Sequence, residues 1–256
     1  MSVTIKSKSD IQKLREAGRI AANALVHASK VIHPGMTTKQ LDKSIHDFIV
    51  GCGAIPTFLG YGGFPASACI SINDEIIHGI PSHKRVIREG DIVSVDVGAY
   101  IGGFHGDCAA TYPCGQVSDE AMRLIKVTQQ SFWEGIKNAR KGCRVSDIGH
   151  AVQAYVEANG FSVVRDFVGH GVGAKLHEPP EVRNYGPAGH GPRLLPGMTI
   201  AVEPMVCAGD WQVKVLADKW TTVSLDGSLT AHYENSILIT DGEPEVLTVT
   251  EDGAYV

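Results

Sequence analysis

The stretch Val93-Ser94-Val95-Asp96-Val97-Gly98-Ala99-Tyr100-Ile101-Gly102-Gly103-Phe104-His105-Gly106-Asp107 reads as an apolar strand, a glycine turn and a returning strand. Each limb carries one aspartate, although an unpaired anion in a valine-rich hairpin is costly to bury. A single hairpin with its polar face in water would need no further account. What decides the matter is that the pattern occurs twice.

Two amphipathic helices precede the hairpin. Ser9-x-x-Gln12 predicts a capping box, followed by Ile11, Leu14, Ala17, Ala21, Leu25 and Ala28 at helical spacing. Thr37-x-x-Gln40 predicts a second, with Leu41, Ile45, Phe48 and Ile49 inward and Gly53 at its end. A second pair follows from Ser118. Met122, Ile125, Phe132 and Ile136 mark its first helix, and Ile148, Val152, Tyr155 and Val156 mark its second, which ends at Gly160. Shifting the chain by 107 residues carries Gly35 onto Gly142, Leu41 onto Ile148, Ile45 onto Val152 and Gly53 onto Gly160. The register then lapses and returns, carrying Gly90 onto Gly197, Val93 onto Ile200 and Asp96 onto Glu203. His105-Gly-Asp107 faces His232-Tyr-Glu234 once a longer turn of about twenty residues containing GDWQVKVLADKW is allowed. Each half therefore reads as helix, helix, hairpin, with an acid in each hairpin limb. A pseudo-two-fold would bring four carboxylates to one concave face.

Four converging carboxylates repel one another unless they take up protons or meet a counter-charge. Two divalent ions would balance them, and such a pair is a known device for activating water. A mostly oxygen site suits harder ions such as Mn, and an imidazole brings Fe, Co and Zn into range. The imidazole is expected from His170 in Gly169-His170-Gly171-Val-Gly173, where the glycines leave room for close approach. Other chemistries lack their signatures. His177-Glu178 is not a zinc-protease HExxH, because position 181 is Glu and Pro179-Pro180 would break the helix. The sequence contains neither GxSxG nor GxxxxGK[ST], and GHGVGA lacks the spacing of a dinucleotide fingerprint.

The 256 residues suffice for a well-buried core, and a net charge of -5 offers no overall basic field for nucleic acid beyond a local cluster at Lys137, Arg140 and Lys141. No signal-peptide core or membrane-length apolar run occurs, and the six cysteines form no CxxC pair. A soluble cytoplasmic protein with reduced thiols is the expectation.

The motifs CISINDEIIHGIP (69–81), VSVDVG with FHGD, GHGVG with HEPP, MTIAVEP and HYENSILIT together resemble the type I methionine aminopeptidases, in their short bacterial form. The resemblance runs over nearly the whole chain. It implies an α+β pita-bread fold, a single metallopeptidase domain over 1–256 whose repeated halves span about 9–115 and 118–250. It also implies two divalent ions (Co, Mn, Fe(II) or Zn) on Asp96, Asp107, His170, Glu203 and Glu234, with Glu203 also shuttling a proton. The same resemblance implies that His177 stabilises the tetrahedral intermediate, that His78 hydrogen-bonds the scissile peptide, and that Tyr61, Phe64, Cys69 and Trp220 line the methionine pocket. Phe58 stands where a cysteine often occurs and Gly62 where a histidine can, which bears on the pocket rim. The implied activity is removal of N-terminal methionine from nascent polypeptides before a small second residue. Docking on the ribosome accords with such a substrate, and the expected state is a monomer without membrane or nucleic-acid partners. The alternatives are a proline-directed aminopeptidase of the same fold and a metal-free binding protein.

Overall fold

A computed structural model describes residues 3–255. Four helices back a curved antiparallel sheet: α1 (Lys8–Val31), α2 (Thr38–Gly51), α3 (Asp119–Ile136) and α4 (Val145–Ala158). The opening hairpin is its longest element. Strand Ile92–Ile101 pairs with Phe104–Pro113 from Ile92↔Pro113 to Ile101↔Phe104, leaving Gly102 and Gly103 as a two-residue turn. Both glycines have positive φ, 60° and 88°, as a hairpin turn following the strand twist requires.

The alternation of side chains answers why valine and aspartate share a strand. Val93, Val95, Val97 and Ala99, with Cys108 and Ala110 opposite, enter the main core beside Leu25, Leu41 and Ile45 of the helices. Asp96 and Asp107 therefore point to the other face. α1 lies close against the hairpin, since a Cβ at Gly106 would stand 2.4 Å from the Ala17 carbonyl carbon and the Gly18 nitrogen.

The repeat is visible in the backbone. α2 and α4 are 14 residues each. Gly35 and Gly142 have φ 92° and 90°, Gly53 and Gly160 76° and 75°, and Gly90 and Gly197 both 89°. The isolated bridge Thr37↔Val86 recurs as Arg144↔Arg193, again one shift of 107 apart. In the second half, Thr199–Val202 pairs with Glu234–Leu238, and this strand joins the first hairpin through Glu234↔Ala109. The α+β pita-bread class expected from sequence is the one observed.

Three expectations are corrected. The cap of α1 is Ser7 with Asp10, not Ser9 with Gln12, because the helix already runs from Lys8 and both bonds of the box form two residues earlier. The expected turn containing GDWQVKVLADKW is itself a hairpin: Val213–Val215 pairs with Thr222–Ser224, which continues onto Glu75–Ile77. On α3, Met122 and Ile125 flank the buried stripe, whose centre is Leu124, Val127 and Phe132. The basic cluster is paired, with Lys137 on Glu134, Arg140 on Glu243 and Lys141 on Asp241. All six cysteines are free, and among the described residues no helix is long and apolar enough to cross a membrane.

Candidate metal centre and substrate cavity

The carboxylates meet because of strand register. Asp96 is paired with Ala109 on one side and Cys69 on the other, and Ala109 is paired in turn with Glu234. Cys69, Asp96, Ala109 and Glu234 thus form one row across four strands, and Ala109 presents only a methyl between the two acids. Asp107, opposite Gly98, lies one pleat along on the same face. Asn235↔Val202 sets Glu234 beside Glu203, which lies just past the end of its strand at Val202 and before Pro204. The Asn184 side-chain amide donates to the Glu203 carbonyl (2.9 Å) and holds that break in place.

His170 sits on the short strand Gly169–Gly171 with Nε2 3.6 Å from Asp107 Oδ2 and 3.7 Å from Glu203 Oε1. Its Nδ1 lies 2.9 Å from the Gly171 carbonyl, an acceptor only, so the proton is on Nδ1 and the Nε2 lone pair faces the acids. Burial pushes the carboxyls up, Asp107 to about 7 and Asp96, Glu203 and Glu234 well above the usual range, with Asp107 adding repulsion to the other three. Burial pulls His170 down to about 4, which keeps the imidazole neutral.

These residues fit a divalent metal. Asp96 Oδ1, Asp107 Oδ1 and Glu234 Oε1 are buried without a hydrogen-bond partner, a state an anionic oxygen tolerates only against a cation. Asp107, His170 and Glu234 each offer a ligand atom within 4.8 Å of the others, and Glu203, His232 and Glu234 form a second such group. His232 is the residue that sequence reasoning missed. Its Nε2 is buried, unpartnered and 4.0 Å from both Glu203 and Glu234. Asn184 was missed as well; it lies in no motif read from the sequence, and His232 opens HYENSILIT without being read as a site residue.

All eleven site residues expected from sequence line one cavity of about 180 Å³. Phe58, Phe64, Cys69 and Leu176 form its apolar wall, and Trp220 packs edge-on to Phe64 at 5.1 Å. Asp218 fixes the Trp220 loop by accepting the backbone N–H of Trp220 and Thr221, each at 2.9 Å. Gly62 (φ 55°) lies under the indole, where a Cβ would come 3.3 Å from Trp220 Cη2. Burial and then Asp96 push the Cys69 thiol well up, so it is no nucleophile at neutral pH. His177 stands at the rim, its Nδ1 2.5 Å from the Tyr61 hydroxyl and its ring 4.2 Å from that of His170. His78 has a left-handed backbone (φ 58°), held by the next residue: Gly79 donates to Ser71 Oγ and accepts from the Ile70 N–H.

Residues 12–241 match metallopeptidase family M24. The chain belongs to this family. It is 52% identical to the methionine aminopeptidase of Clostridium acetobutylicum over 97% of this chain and 100% of that one, and 50% identical to methionine aminopeptidase 1 of Bacillus subtilis over 96% and 99%. The crystal structure of the Thermotoga maritima methionine aminopeptidase superposes with a TM-score of 0.95 at 45% identity, covering 96% of this chain and 99% of that one. The Pyrococcus furiosus prolidase shares the fold alone, at 22% identity and a TM-score of 0.76 over 66% of its length.

Proposed function

We infer that this chain is a methionine aminopeptidase, a metal-dependent exopeptidase that removes the first residue of polypeptides when the second is small. The observation that carries the reading is a buried row of acids, with His170 beside it, at the side of an apolar cavity sized for one unbranched side chain. Asp96, Asp107, His170, Glu203 and Glu234 would hold the metal, and we assign two divalent ions because four carboxylates balance two double charges. Bound there, divalent ions supply Lewis acidity and a water acidic enough to ionise near neutral pH.

The chain's own residues do the rest. Glu203 takes the proton of the attacking water at its carboxylate and returns it to the leaving amine. His177, held by Tyr61, donates to the carbonyl oxygen as charge gathers there, and His78 donates to the scissile peptide from the opposite wall. Tyr61, Phe64, Cys69 and Trp220 take the methionine side chain and exclude water from it. Free nascent N-termini in the cytoplasm are the substrates this implies, with the ribosome as their source and a monomer as the working unit. We read residues 1–256 as one domain of two repeated halves.

Mass spectrometry of metal-reconstituted protein with Met-Ala-Ser, Met-Leu-Ser and acetylated Met-Ala-Ser tests the function. The first peptide is expected to lose methionine, and the other two are expected to remain intact. Cleavage of the acetylated peptide would remove the exopeptidase reading, and cleavage only before proline would move the chain to the proline-directed members of the fold.

A further inference from the structure

The segment preceding α1 reaches the loop that carries His177. Lys6 N donates to the Gly197 carbonyl (2.8 Å), which sets the arm beside strand Thr199–Val202. Lys6 Nζ then lies 2.6 Å from Glu178 Oε2, with the two side chains only 6% and 9% exposed. The Thr4 hydroxyl donates to the same oxygen at 2.7 Å, and the other oxygen accepts the Lys175 N–H at 3.1 Å. Every part of this contact faces the loop between Gly171 and Glu178, which are themselves a strand pair. A Cβ at Gly173 would stand 2.5 Å from Glu178 Oε1 and 2.7 Å from Lys6 Nζ, so the ion pair occupies the space above that glycine. The Gly173 carbonyl in turn accepts the His105 N–H at 2.9 Å, which ties the loop to the first hairpin. His177 is the last residue of this loop and is bonded directly to Glu178 in the chain.

We propose that Lys6, through its buried ion pair with Glu178, is a positioning residue that holds His177 at the rim of the cavity. The inference rests on the role assigned above to His177. A buried ion pair gives little net stability over an uncharged pair of the same size, whereas it fixes direction at both ends. Here one end is the neighbour of a hydrogen-bond donor whose aim decides how well it meets developing charge. A misplacement of about 1 Å in such a donor costs up to about 10²-fold in rate.

The test compares Lys6→Met, Glu178→Gln, the double variant and Lys6→Arg for kcat and KM on Met-Ala-Ser, metal stoichiometry by calorimetry and Tm. Each single neutral variant leaves one charge buried alone and is expected to lower both Tm and kcat. In the double variant no lone charge remains, so Tm returns toward the parent value while kcat stays about 10- to 10²-fold low. KM and metal stoichiometry are expected to hold, and Lys6→Arg to restore most of kcat. In a His177→Ala background the double substitution should lower kcat little further, because the two act through one group. Parental kcat in the double variant, or losses that multiply with that of His177→Ala, would overturn the proposal. Parental kcat in His177→Ala alone would instead remove the role of His177, and the positioning role with it.

Discussion

His78 pays for its position in backbone strain: a left-handed φ of 58° costs a residue with a Cβ about 1–3 kcal/mol and persists where neighbours over-determine it. The outcome is an imidazole presented to the cavity from a strand end, its ring edge-on to Phe167 at 5.6 Å. His170 is held differently, by its Nδ1 proton on the Gly171 carbonyl, with the opposite nitrogen turned to the acids. The two kinds of placement separate in mutants. Alanine at His78 or His177 is expected to lower kcat by about 10²–10³ with metal stoichiometry retained, since a donor that acts on developing charge is lost. His170→Ala should lose metal affinity first, seen in calorimetric titration before any change in kcat at saturating metal. Loss of metal from His177→Ala matching that from His170→Ala would dissolve the distinction. The five ligands proposed above were legible because each sits in a short motif and four recur across the repeat. His232 was not, and the repeat itself misled: its counterpart His105 turns to the Thr57 hydroxyl, whereas His232 faces Glu203 and Glu234. Equivalent positions carry unequal roles once the second hairpin breaks at Pro204.

Caps and glycines decide how the helices meet the sheet. Thr37 with Gln40 closes both bonds of its box, as its spacing predicted. For α1 two overlapping patterns compete, Ser7 with Asp10 and Ser9 with Gln12, and only the tertiary start of the helix chooses between them. The Val213–Val215 strand was legible in principle, since Val-Lys-Val alternates, but it is short and half-exposed, and it is its hairpin partner Thr222–Ser224 that joins Glu75–Ile77 far away in the chain. Close approach is a property no periodicity reveals. Gly106 is the clearest instance, with α1 backbone 2.4 Å from where its Cβ would stand. Gly106→Ala is therefore expected to force the hairpin off α1 and to destabilise by about 1–3 kcal/mol, as overpacking does. Thr37→Ala should cost about 1 kcal/mol through its lost cap. Urea denaturation checks both, as a lower midpoint at unchanged slope. An unshifted midpoint for Gly106→Ala would mean that the hairpin and α1 can separate freely.

For the molecule as a whole the burial of four acids sets how stability follows pH. In the folded chain Asp107 titrates near 7 and Asp96, Glu203 and Glu234 well above the usual range, all through burial, whereas unfolded carboxyls titrate near 4. Between those values the folded state binds more protons than the unfolded one, so stability falls as pH rises. The metal-stripped protein is thus expected to have a Tm that declines from about pH 5 to pH 8. Mn or Co should raise Tm and flatten the decline, because a cation replaces the protons. A flat profile in the stripped protein, unmoved by added metal, would argue against a cation site. The repeat we propose behind that cluster was read from the sequence as a shift of 107 residues, and three glycine pairs with matching φ angles and a pair of bridges stand one such shift apart. That shared geometry makes each half an incomplete chelator. Asp96 and Asp107 come from one hairpin and Glu203 and Glu234 from the other, joined along a single strand pair. The affinity of the centre is therefore largely an effective concentration, the amount by which folding raises the local molarity of one pair of acids around the other.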